Sequence, residues 1–479
     1  MKNKLETVYF LLPEIIQDLI FSIYGIYLRA LRFGRIYGSN LNNLLESEWC
    51  SENEITRYQE IKFMESLRIA FDHSEFYKFW FNKHGVKLSD IKAISDIQKL
   101  PLSSKKDIRA SGLSYHNNSI PKYALKKSLT SGTTGQSFTV YNTIKTSCIQ
   151  WAIWGRHKKR FNISMIRDKY LMFGARVPIS LNSKRIFRKD FGLNRRYLTI
   201  YKLSESNFEK YIDCINNYRY DFIAGYPSSI LLLANYILQN NITLLNYPKV
   251  VITGSDALFP ETKKSIAKAF RAEVTDQYGM AEGCGNFSQC ELGRYHLDFE
   301  MGFPEFIDMS ENPNSNIKHL VFTSLSNIAM PLIRYDTGDL VIPTNEKCNC
   351  GRKSIVVERI VGREEDYILT PEGNKIQGLN QVFEYANNID MIQVYQENID
   401  SIEVRYVKGL KFENQDLDRL KYELNKRIQN SMKINFIDVQ NIPLTKSGYL
   451  FLTIYFFFTI SFATGNKPLG IVECKYLSW

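Results

Sequence analysis

DFIAGYPSSILLLANYILQN (Asp221–Asn240) decides the fold of this chain, because its hydrophobic period changes partway along. DFIAG is an apolar run of strand length, Gly225 and Pro227 interrupt it, and SSILLLANYILQN then places apolar residues at helical spacing. The same order repeats downstream. YPKVVITGSD (Tyr247–Asp256) is a second apolar run ending in glycine, ETKKSIAKAFRAE (Glu261–Glu273) is a helical stretch, and VTDQYGM (Val274–Met280) is a third run with Gly279 at its end. KYLMFGARV and FEKYIDCINNY, beginning at Lys169 and Phe208, extend the alternation upstream. Strand, glycine turn, helix, strand is the pattern of an α/β sheet, whose ligands gather beyond the carboxyl ends of its strands.

Outward from this block the character changes in both directions. Residues 40–110 carry aromatic and aliphatic residues at three- and four-residue spacing, which predicts a helical cap. After Gly302 the runs FPEFIDM, HLVFTSL and PLIRYDTGDLVIP read as antiparallel strands. The expected division is a helical part of the large domain at 1–120, an α/β core with a Cys/His element at 121–361, a small α+β domain at 362–448 and an atypical apolar tail at 449–479.

The chain has 479 residues, 44% hydrophobic and 23% charged, the composition of a soluble globular protein of more than one domain. Eight cysteines in this length do not make a disulfide scaffold, so the expected compartment is reducing, the cytoplasm. The net charge of +11 is uneven, with fifteen Lys or Arg between Lys145 and Lys202 against Asp168 and Asp190 alone. RHKKR (Arg156–Arg160) and KRIFRKD (Lys184–Asp190) are either a solvated face or an attraction for anionic substrate or lipid. No nucleic-acid motif accompanies the charge, so no nucleic-acid partner is expected. Near the N-terminus Leu19, Ile20, Ile23, Ile26, Tyr27 and Ala30 recur at helical spacing, followed by Arg29, Arg32 and Arg35. This predicts a helix packed on the body by its apolar stripe or, as the sharper reading, one lying on the inner face of a membrane.

TSGTTGQS (Thr130–Ser137) gathers hydroxyls and glycines in one loop, as a phosphate cradle does, without the ending of a Walker loop. Alone it is as readily a turn. With AGYPSS (Ala224–Ser229), TGSDAL (Thr253–Leu258), DQYGMAE (Asp276–Glu282), RYDTGDL (Arg334–Leu340) and GREED (Gly362–Asp366) in order, the chain resembles the adenylate-forming superfamily. More narrowly, it resembles the branch of phenylacetate-CoA ligases and capsule-biosynthesis CapK-like proteins.

The resemblance implies a ligase fold with a large N-terminal α/β domain and a small mobile C-terminal α+β domain. It implies that Thr130, Ser131, Gly132, Thr133, Thr134 and Gly135 close on the terminal phosphates of ATP. Gly254, Ser255 and Asp256, with Gln277, Tyr278 and Gly279, would form the adenine slot. Glu282 would associate with Mg²⁺, for which a carboxylate is a suitable hard ligand. Asp339 would accept both ribose hydroxyls, with Arg363 as a further donor, and Asp366 would be the hinge. The implied reaction activates a carboxylate as its acyl-adenylate, releases pyrophosphate and passes the acyl group to CoA or an amine, in service of capsule or surface-polysaccharide synthesis.

Cys290 and His296, with Cys348 and Cys350 far downstream, supply the three sulfurs and one imidazole of a structural zinc site, with Cys284 as the rival ligand. Against the family pattern, Gln136 stands where relatives carry lysine, and Ala281 replaces a threonine. In PLTKSGYLF, Tyr449 occupies the place of the terminal catalytic lysine and Leu444 that of an arginine, leaving Lys446 as the nearby substitute. The tail from Leu450 is an apolar, strand-like run, read either as a replaced or frame-shifted end or as an edge strand. The alternatives to an active ligase are a degenerate nucleotide-binding protein of the same fold and a membrane-surface assembly protein.

Overall fold

The computed structural model describes residues 4–129, 138–174, 177–180, 183–309, 315–363, 367–371, 375–377, 388–409, 412–428, 431–442 and 453–455. A 13-stranded sheet organises the larger part. The strands that carry the site are β1 (Tyr170–Gly174), β2 (Arg195–Thr199), β3 (Phe222–Gly225), β4 (Val250–Gly254), β5 (Glu273–Gly279), β6 (Tyr335–Pro343) and β7 (Val356–Arg363). Along the sheet β2, β1, β3, β4 and β5 are successive parallel neighbours, and beyond β5 the pairing is antiparallel through Asn286–Gln289 and Tyr295–Leu297 to β7 and β6.

The helices used below are α1 (Glu14–Arg32), α2 (Ile144–Arg160), α3 (Pro227–Gln239), α4 (Pro260–Phe270) and α5 (Asn414–Ile428). Both α3 and α4 begin with proline, whose missing amide costs nothing in a first turn. The central strands are continuous apolar runs because they are covered on both faces. Ile223 and Val251 pack with Leu233, Ile237, Ile266 and Phe270 of α3 and α4, while Phe222, Val250 and Ile252 pack with Ile163 on the other face. A second core joins the helices Glu52–His73 and Glu75–Lys83 to the antiparallel strands through Phe63, Leu67, Phe76, Phe287 and Phe322. Ser51 and Glu54 close the first of these helices in a reciprocal cap.

α1 reverses the expectation drawn from its apolar stripe. Its inward face is Gln17, Asp18, Ser22 and Gly25, set against the edge strand Phe187–Asp190. Leu19, Ile20, Ile23, Ile26 and Tyr27 are exposed. The cause is charge: Arg185 pairs with Glu14 at 2.9 Å and Asp18 at 3.0 Å, and Arg188 with Asp18 at 3.5 Å, so the basic strand takes the acidic side of the helix. Among the described residues, no helix is long and apolar enough to cross a membrane.

The C-terminal part is a four-stranded sheet in which Ile389–Asn398 and Ser401–Lys408 form the central hairpin. Lys433–Asp438 and Thr453–Tyr455 join it in parallel at the two edges. Leu420, Leu424 and Ile428 of α5 close its core. The described piece of the tail is thus an edge strand, Thr453 opposite Val394.

Candidate active site

Strands β3, β4 and β5 end on Gly225, Gly254 and Gly279 at one edge of the sheet. A Cβ at Gly254 would lie 2.9 Å from the Gln277 carbonyl, and one at Gly279 would lie 2.6 Å from Asn286 Oδ1. Only glycine leaves this edge open. Beside it lies a cavity of about 180 Å³, lined by Gly225, Tyr226, Thr253, Gly254, Ser255, Gln277 and Gly279, with Trp154 and Lys158 of α2 and Met172 and Phe173 of β1. Of the expected adenine-slot residues, Gly254, Ser255, Gln277 and Gly279 therefore share one wall. Asp256 is exposed and accepts from the Ala257 amide at 2.9 Å, and it is not among the cavity-lining residues. Gln277 is fixed by donating to Ser288 Oγ at 3.1 Å.

Tyr278, Asp339 and Arg363 come together from three strands. The Tyr278 hydroxyl donates to Asp339 Oδ2 at 2.6 Å, and Arg363 Nε lies 2.9 Å from Asp339 Oδ1. Asp339 and Arg363 are register partners across β6 and β7, and Arg363 also donates to the Thr337 carbonyl at 3.0 Å. Burial pushes the Asp339 carboxyl up, with Arg363 and the Tyr278 hydroxyl acting the other way. The Tyr278 phenol is pushed well up by burial and by Asp339, so it stays protonated as a donor. Glu282 is 3% exposed and pairs with Lys105 Nζ at 3.4 Å. Lys105 opens the helix Lys105–Ser111, placed by Ser103–Ser104 pairing in parallel with β6 at Tyr335 and Asp336.

Thr130, Ser131, Gly132, Thr133, Thr134 and Gly135 of the expected phosphate loop, Gln136, the expected hinge Asp366, and Lys446 with Tyr449 lie outside the described residues. Two site lysines were missed by sequence reasoning. Lys105 carries no periodic signal, and its partner is far along the chain. Lys158 sits inside RHKKR, where a charge run hides the one member that lines the cavity.

The basic segment is largely spent inside the protein. Arg156, 2% exposed, bonds Glu300 at 2.7 Å and Asp298 at 2.8 Å, Arg160 bonds Glu48 at 2.5 Å, and Arg195 bonds Asp190 at 2.9 Å. The expected alternatives, a solvated face or a patch for anions, give way at these positions to buried ion pairs. Arg156 and Arg160 take their acids from segments distant in sequence, and Arg195 takes Asp190 from its own.

Cys290, His296, Cys348 and Cys350 converge, with ligand atoms within 4.8 Å of one another. Cys350 Sγ is 3.3 Å from His296 Nε2, and Cys290 Sγ is 3.7 Å from Cys348 Sγ. The rival Cys284 is elsewhere, its thiol 3.0 Å from Met280 Sδ. Gly351, with φ of 93°, makes the turn after the CxC pair.

Comparison with known proteins follows the same lines. The family described as the CapK C-terminal domain matches residues 368–454, a span that includes Tyr449. Protein CapK of Staphylococcus aureus is 27% identical over 442 residues, covering 91% of this chain and 96% of that protein. The phenylacetate-coenzyme A ligase of Pseudomonas putida is 26% identical over 377 residues, 73% of this chain and 83% of that one. Among solved structures, 2-hydroxyisobutyryl-CoA ligase in the postadenylation state with R3-HIB-AMP superposes with a TM-score of 0.64. That match covers 85% of this chain and 91% of the other at 17% identity, and it establishes the fold alone.

Proposed function

We propose that this chain, an adenylate-forming protein of the CapK and phenylacetate-CoA ligase type, joins a carboxylic acid to coenzyme A through an acyl-adenylate made from ATP. The observation that carries this reading is the Tyr278–Asp339–Arg363 group near Glu282, with Tyr278 next to Gly279 at the end of β5. A buried carboxylate held by a phenol and a guanidinium is a fixed double acceptor for the two ribose hydroxyls. With the ribose held there, the α-phosphate is the centre of reaction. An oxygen of the acid attacks that phosphorus, the bond to the bridging oxygen breaks, and pyrophosphate leaves; a thiol then displaces AMP from the acyl carbon.

Two anions meet in the first step, so positive charge must be supplied. Lys105 is the described cation at Glu282. Glu282 is also the residue fitted to hold Mg²⁺, which would neutralise charge on the phosphates. Cys290, His296, Cys348 and Cys350 have the donor set of a closed structural zinc site and would staple two loops rather than react. An amine acceptor in place of CoA and a role in capsule or surface-polysaccharide synthesis are finer parts of the proposal, the latter resting on the resemblance to CapK. Pyrophosphate release across aryl, fatty and amino acids, with and without CoA, tests the reading. Release that needs an acid, followed by a thioester only when CoA is present, supports it, and formation of an acyl amide with release of AMP in the absence of CoA reassigns the acceptor.

Two observations favour companion readings. Gln136 and Tyr449 remove cations that relatives carry, which favours a degenerate nucleotide-binding protein; ATP binding without acid-dependent turnover would establish it. The outward apolar residues of α1 favour peripheral contact with the inner face of a membrane from the cytoplasm. Failure of the full chain to float with anionic liposomes removes that contact.

A further inference from the structure

The cavity at the glycine edge contains one charged side chain without a counter-charge. Lys158 is 8% exposed and lines the cavity, and among the described residues its ammonium has neither an ion pair nor a hydrogen-bond acceptor. Its neighbours on α2 each have a partner, Arg156 in Asp298 and Glu300, His157 in Thr275 at 3.0 Å and Arg160 in Glu48, although Arg156 Nε and His157 Nδ1 are left unbonded among the described residues. Burial pulls the Lys158 pKa down to about 8, with no acid near enough to raise it. A buried ammonium is costly unless something binds it.

Its depth follows from the packing of α2 on β5. Trp154 Nε1 lies 3.8 Å from where a Gly279 Cβ would be, at the carboxyl end of β5, whereas His157 reaches Thr275 and Arg160 the carbonyls of Ser288 and Gln289. The helix therefore runs antiparallel to β5. Lys158, four residues beyond Trp154, stands about 6 Å further from the nucleotide edge at the usual rise of a helix.

We propose that Lys158 determines specificity by binding the far end of the acid, and that the substrate is a short dicarboxylate rather than an apolar acid. One carboxylate points to the glycine edge and is adenylated, while the other pairs with the ammonium in the depth of the cavity. The inference rests on the adenylating reading of the same site. A monoacid of equal length presents a methyl group to the ammonium and leaves the charge unpaired. Sites built to bond a polar group reject analogues lacking it by large factors, and about 100-fold is expected here.

The test uses the full chain and its Lys158→Met variant with three matched pairs: succinate and butanoate, glutarate and pentanoate, adipate and hexanoate. In ATP–pyrophosphate exchange the wild type should favour the diacid of at least one pair by about 100-fold in kcat/KM, and the variant should favour the monoacid. A wild type that prefers monoacids overturns the proposal while leaving adenylation intact. Silence with every acid strikes the adenylating reading instead, and binding then judges the lysine. A thermal shift given by diacids but not monoacids, and lost in Lys158→Met, supports it; equal shifts in both proteins overturn it.

Discussion

Replacing Lys158 by methionine separates the cost of the buried charge from its use. The fall from the ordinary 10.5 to about 8 corresponds, at about 1.4 kcal/mol per tenfold change in proton affinity, to about 3 kcal/mol of stability lost at neutral pH. The sign follows from which state holds the proton. Between about pH 8 and pH 10.5 the unfolded chain keeps the lysine protonated while the folded chain releases it, so wild-type stability rises with pH across that window and is lowest below it. Methionine keeps an unbranched stem one atom shorter than lysine's and removes the charge. Urea titration of both proteins, followed by tryptophan fluorescence, should show the variant about 3 kcal/mol more stable at pH 7, with the gain vanishing by about pH 10.5. A variant less stable than the wild type, or a gain indifferent to pH, would refute the claim that this ammonium is buried without a partner.

Asp339→Ala removes the proposed ribose acceptor. Two hydrogen bonds to a charged group, at about 1.5 kcal/mol each, correspond to about 100-fold weaker ATP binding by calorimetric titration, and unchanged affinity would dismiss the assignment. Cys348→Ser should abolish a stoichiometric zinc content measured by elemental analysis and lower the unfolding temperature, whereas wild-type protein purified free of zinc would argue against the site.

The fold was legible where backbone chemistry repeats. Glycines 225, 254 and 279 were visible as strand ends, and the structure sets them along one edge. Cys290, His296, Cys348 and Cys350 were legible because ligand chemistry narrows the choice of partners, although Cys284 could be set aside only in three dimensions. Periodicity failed at α1. It tells which face of a helix is apolar, and here Asp18 answers Arg185 and Arg188, turning the other face inward. The charge run at Arg156–Arg160 failed for a related reason. Composition counts its cations but not the acids at Glu48, Asp298 and Glu300 that pair with two of them, and so could not single out Lys158.

The proposed reaction turns on attack by a carboxylate oxygen on the α-phosphate of ATP. It is tested most directly by turnover of an oxygen-18-labelled acid, using the member of the acid panel that drives pyrophosphate release, with the products examined by phosphorus NMR. Attack by the carboxylate puts label in AMP, carried there when the acyl-adenylate is opened by the thiol, and none in pyrophosphate. Label in inorganic phosphate with ADP as co-product, the signature of an acyl phosphate, would contradict it.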